Sequence, residues 1–189
     1  MKINGSFIVF TLILVALQTL CKYYFAANLT MSGFSPFIAI ALFSGFIIKD
    51  RKLSFILPLL ALFISDVIIH VLYLYNEFDF AGFYSGQWKN YLILLSATAI
   101  GWTLKGRTIA TVAAGGIIAP TVFFLISNFN VWLATSEVAY PKTFEGLMSC
   151  YTAALPFYKN QLISTLLFLP VILFLYNYMT RHKAQLTLA

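Results

Sequence analysis

Long apolar runs separated by short polar stretches dominate the chain, and each can be judged against the roughly 20 residues a helix needs to cross a bilayer. Such runs occupy residues 6–27, 33–48, 54–75, 91–104, 109–128 and 161–178. The second and fourth are short, so they predict spans that are tilted, extended by their flanks or incomplete. Residues 143–157 mix small and apolar positions with Glu145, Ser149, Tyr151 and Thr152 and end near Pro156. That length and mixture predict an amphipathic or re-entrant helix before the last span rather than a seventh crossing. The expected fold is an all-α polytopic membrane protein, a six-helix transmembrane bundle in which residues 1–189 form a single domain.

Composition narrows the function classes. With 61% hydrophobic residues, 10% charged residues and a mean hydropathy of +0.88, the chain is neither a soluble globular domain nor a disordered one, because only lipid solvates apolar runs of this length. The net charge of +6 reads as topology. Six spans place Lys2, Lys49, Arg51, Lys52, Lys105, Arg107, Arg181 and Lys183 on one side, and only Lys22, Lys89, Lys142 and Lys159 on or toward the other. This excess assigns the first side, with both termini, to the cytoplasm. The charges are dispersed in short loops and form no basic stripe, so a nucleic-acid partner is not expected. Lys2 and the apolar run after it resemble a secretory signal. The run is too long for a typical signal core and reaches Cys21-Lys-Tyr-Tyr24 without a small-residue cleavage site, which favours an uncleaved first helix.

Catalytic and metal motifs do not emerge. Cys21 and Cys150 have no metal spacing and read as small apolar residues, and neither a phosphate-binding glycine loop nor a hydrolase elbow is present. Gly115-Gly116 and Pro120 suggest close packing and a kink in the fifth helix. No cofactor, metal or catalytic residue is therefore assigned, and the chain is not read as an enzyme.

The candidate chemistry lies at membrane depth. Asp66 interrupts the run 54–75, where an ionisable group is costly and marks a partner or a task, and His70 follows on the same helical face. The outward-running fifth helix ends with Asn128 and Trp132, while Tyr151 and Asn160 precede the last span. These polar and aromatic groups converge just inside the outer face, as a pocket for a small amphipathic ligand requires. In that reading Asp66 and His70 fix a polar or cationic group, Asn128 and Asn160 read hydrogen bonds, and Trp132 and Tyr151 stack on a ring. The same groups also suit a structural role: Asp66 with Ser65 tying helices, His70 serving Asp66, Asn128 capping its helix, and Trp88, Tyr91 and Trp132 forming an interfacial belt.

The strings Phe34-Ser-Pro-Phe-Ile-Ala-Ile-Ala-Leu-Phe-Ser-Gly45, Leu57-Pro-Leu-Leu-Ala-Leu-Phe-Ile-Ser-Asp66, Ile126-Ser-Asn-Phe-Asn-Val-Trp132, Tyr140-Pro with Gly146, and Cys150-Tyr-Thr-Ala-Ala-Leu-Pro-Phe157 with Asn160 resemble an uncharacterised bacterial membrane family. That family is similar in length, helix number and its Pro…Ser-Asp pattern to the substrate-binding S components of energy-coupling-factor vitamin transporters. The resemblance implies a multi-pass protein of the bacterial inner membrane that captures a vitamin or similar micronutrient at its outer face. It also implies docking on a transmembrane coupling subunit driven by ATPases, although the first helix lacks the Ala-x-x-x-Ala docking pattern of such components. Two other classes stand beside this one: a non-transporting structural subunit of a larger membrane complex, and an intramembrane enzyme in which Asp66 meets water and a second catalytic group.

Overall fold

The computed structural model describes residues 5–28 and 30–181; Lys2 and Lys183, used above for orientation, lie outside them. Six helices follow one another: α1 (Gly5–Phe25), α2 (Phe37–Ile47), α3 (Arg51–Leu74), α4 (Gln87–Leu104), α5 (Ile109–Ala134) and α6 (Phe144–Arg181). Four of them, α1, α3, α5 and α6, are long and apolar enough to cross a membrane, which makes the chain a membrane protein by the length and composition of its helices.

Sequence chemistry explains where the helices begin. Asp50 caps α3 by accepting from the backbone N–H groups of Lys52 and Leu53 at 2.9 and 3.2 Å. Thr108 and Thr111 form a reciprocal capping box at the start of α5. The predicted run 33–48 becomes helical only at Phe37, because Gly33 adopts φ +88° and Pro36 fixes the preceding turn. At 11 residues α2 is only about 16 Å long. Residues Ile38 to Gly45 are buried on every side, which explains why α2 is apolar all round rather than on one stripe.

α2 forms the axis, packed against α4, α6, α3 and α5, while α1 packs mainly on α3. Phe10, Phe43 and Tyr176 meet with ring centroids 5.1–5.4 Å apart and tie α1, α2 and α6 together. On the other side, α2 and α4 touch backbone to backbone at Gly45 and Gly101. Outward faces carry Leu60 and Phe63 of α3, Ile117 and Leu125 of α5, and Leu167 and Phe174 of α6, all well exposed. Such surface is a liability in water and is the expected face toward lipid.

The structure corrects one element. Residues 143–157 are not a separate amphipathic or re-entrant helix: they continue without a break into the last span as the 38-residue α6. At about 57 Å this helix is nearly twice the thickness of a bilayer's hydrocarbon core. Pro156 and Pro170 lie inside it without ending it.

Candidate functional site

Asp66 is completely buried, and its environment follows from three helices meeting near one end of the bundle. Lys22, in the last turn of α1, donates to Oδ1 and forms a salt bridge with it. Gln87 Nε2, in the first turn of α4, and the Tyr91 hydroxyl, one turn on, donate to Oδ2. Both carboxylate oxygens are thus engaged, by one charged and two neutral donors, the condition under which a buried ion pair is tolerated. Gln87 Nε2 also reaches the Gly82 carbonyl at 3.2 Å, and its Oε1 accepts from the Tyr84 N–H at 3.1 Å, which holds the α3–α4 connection over the pair. Gly82 lies so close to the Asp66 carbonyl and the His70 backbone that no side chain fits there.

Beside this cluster lies a cavity of about 380 Å³, lined from all six helices and from the α1–α2 turn. Asp66, Lys22, Gln87 and Tyr91 form one wall, and Phe34, Phe37, Leu62 and Phe123 supply apolar surface. Gln18, Asn90 and Gln161 add amides. Ser35 donates to Gln18 Oε1 at 2.9 Å, so Nε2 is the end of that amide available to a ligand. The Asn90 amide donates to the Tyr84 hydroxyl at 2.6 Å. The Tyr84 phenol, in the α3–α4 connection, is held above its ordinary pKa by desolvation, with the Asp66 charge adding to this and the Asn90 hydrogen bond opposing it, so it remains a neutral donor.

The predicted site residues are not brought together. Of Asp66, His70, Asn128, Trp132, Tyr151 and Asn160, Asp66 alone lines the cavity. His70 sits one turn beyond it beneath the α3–α4 connection, packed on Phe83 at 5.5 Å and Tyr73 at 6.1 Å between ring centroids, and its Nδ1 is buried with no partner among the described residues. Asn128 turns back to the Phe124 carbonyl of its own helix at 2.8 Å. The Tyr151 hydroxyl donates to the Leu125 carbonyl at 2.8 Å and so joins α6 to α5. Asn160 donates to the carbonyls of Thr30 and Ser32 at 2.9 and 2.8 Å, and Ser164 to that of Ser35 at 3.1 Å. These two α6 residues satisfy the non-helical α1–α2 backbone where it approaches the core, as irregular backbone at membrane depth demands.

Trp132 belongs to a helix end. Its indole N–H donates to the Pro141 carbonyl at 2.9 Å, and Lys142 Nζ lies 5.4 Å above its ring. The same ammonium donates to the carbonyls of Trp132, Leu133 and Thr135, closing the C-terminus of α5. Lys142→Met should therefore speed amide hydrogen exchange in the last turn of α5 and leave the cavity unaltered. Unchanged exchange over residues 131–135 would dismiss the cap.

The residues that sequence reading missed are Asp66's own partners. Lys22 carried a usable signal, being the opposite charge at the same end of the bundle. Gln87 and Tyr91 carried a weaker one, because polar residues at a helix start read equally well as a loop or an interfacial belt.

The family of unknown function DUF6580 matches residues 1–186. No curated protein and no solved structure matches the chain.

Proposed function

Because the chain belongs to that family of unknown function, whose description assigns no activity, we propose from its own geometry that it is a membrane-embedded solute-binding protein. In this reading it works in uptake, like the S components of energy-coupling-factor transporters, and takes a vitamin-sized organic molecule from the outer face of a bacterial inner membrane. One observation carries the proposal: a cavity of about 380 Å³ opens beside the Lys22–Asp66 pair, whose buried carboxylate is bonded through both oxygens, and combines aromatic walls with amide groups. That volume falls in the range of small-molecule sites, and a few placed polar groups among apolar ones are their usual composition. The excess of basic residues at the Lys49–Lys52 and Lys105–Arg107 loops supports placing the cavity on the outer side. Partners would be the solute and lipid, and a coupling subunit with ATPases if uptake is powered as the resemblance implies.

The full pairing of Asp66 favours a second reading, in which the cluster only ties α1, α3 and α4 within a larger complex. Native mass spectrometry of the purified protein separates the two. Solute binding predicts a co-purifying small molecule that is lost in Leu62→Trp, which fills the cavity, and retained in Asn128→Ala, which lies outside it. A protein that carries no small molecule, or one held equally by Leu62→Trp, favours the structural reading.

A further inference from the structure

We infer that the solute taken by this cavity carries no net charge and is a one- or two-ring molecule bearing hydroxyl, amide or ring-heteroatom groups. The inference rests on the solute-binding reading above and adds the chemical class of the ligand. Lys22 and Asp66 are the charged residues among those lining the cavity, and they are bonded to each other. An ion that exchanges bulk water for contact with a protein wall needs a counter-charge there, because its desolvation is otherwise uncompensated. An anion drawn to Lys22 would come to rest beside the Asp66 carboxylate. A cation drawn to Asp66 would find both oxygens occupied by Lys22, Gln87 and Tyr91 and an ammonium next to it. The site therefore opposes net charge of either sign.

The remaining lining sets the other features. Gln18 offers its Nε2 as a donor, and the amides of Asn90 and Gln161 add carbonyl acceptors and further donors, which matches neutral hydroxyls, amides and heterocyclic nitrogens. The rings of Phe34, Phe37 and Phe123 offer flat apolar surface. A volume of about 380 Å³ corresponds to about a dozen water molecules at roughly 30 Å³ each, enough for one or two rings with substituents.

The test is equilibrium dialysis of the purified full-length protein in lipid nanodiscs against an equimolar mixture of water-soluble micronutrients. Nicotinamide and pyridoxine are neutral overall and have one ring, biotin, nicotinate and pantothenate are anions, and thiamine is a cation. The expected result is retention confined to neutral compounds, by about tenfold or more over every charged one. Retention of an anion or the cation at an equal or higher level overturns the charge inference while leaving solute binding intact. Retention of nothing removes both. Asp66→Asn, which leaves Lys22 uncompensated, should shift the ratio of nicotinate to nicotinamide bound upward by about tenfold. The double variant Lys22→Met/Asp66→Asn buries no charge and guards against a folding failure of the single one. It should restore the preference for neutral compounds, and a preference for anions there would overturn the inference.

Discussion

Lys22→Met is expected to destabilise the folded protein by about 3 kcal/mol or more, because it strands a carboxylate that has no access to water. Asp66 is fully buried, and the Lys22 side chain is 24% exposed, so little solvent screening softens the loss. Gln87 and Tyr91 would still donate to Oδ2, but two neutral hydrogen bonds do not replace a counter-ion. The double variant Lys22→Met/Asp66→Asn should recover to within about 1 kcal/mol of the parent, since it removes both charges together. Unfolding in detergent, followed by circular dichroism, reads both values. A single variant as stable as the parent, or a double variant no better than the single, would show that the pair does not hold α1 against α3.

The contact between α2 and α4 should be almost as sensitive. A methyl group at Gly45 would collide with the Thr98 carbonyl and lie 2.9 Å from the Gly101 Cα, and one at Gly101 would lie 2.7 Å from the Leu42 carbonyl. Backbone lies on both sides, so relief requires separating the helices. Gly45→Ala and Gly101→Ala should each cost about 2–3 kcal/mol, the upper range for overpacking. Gly116→Ala is the control: its nearest neighbour, at 2.8 Å, is the end of the Leu166 side chain, which can rotate away, and alanine improves helix propensity by about 1 kcal/mol. Equal stability losses at Gly45 and Gly116 would contradict the proposed backbone contact.

Hydrophobic spacing revealed the all-helical class because apolar run length is decisive once lipid is the solvent. It failed where polarity had a cause other than water. Lys159, Asn160 and Gln161 looked like the break before a last span, yet Asn160 is polar because it satisfies the carbonyls of Thr30 and Ser32 from within a continuous helix. The α4 start was placed too late for a related reason: Gln87 and Asn90 are polar because they face the cavity and its carboxylate. Asp66 was legible as an ionisable group at depth. Depth brings Asn128, Trp132, Tyr151 and Asn160 to its level, but depth does not give the direction in which a side chain points around its helix. Asn128, Trp132 and Tyr151 each spend their hydrogen bonds on α5 or the turn that follows it.

The shortness of α2 has an electrical consequence. A bilayer's hydrocarbon core is roughly 30 Å thick, but the axial helix closing the bundle beneath the cavity is only about 16 Å long. A cavity filled with water as far as Phe37, at the start of α2, would leave the transmembrane voltage to fall across that thinner barrier rather than across the whole membrane. At about 2.3 kcal/mol per elementary charge per 100 mV, a charge moving from the cavity past α2 would therefore feel nearly the full potential within a few helical turns.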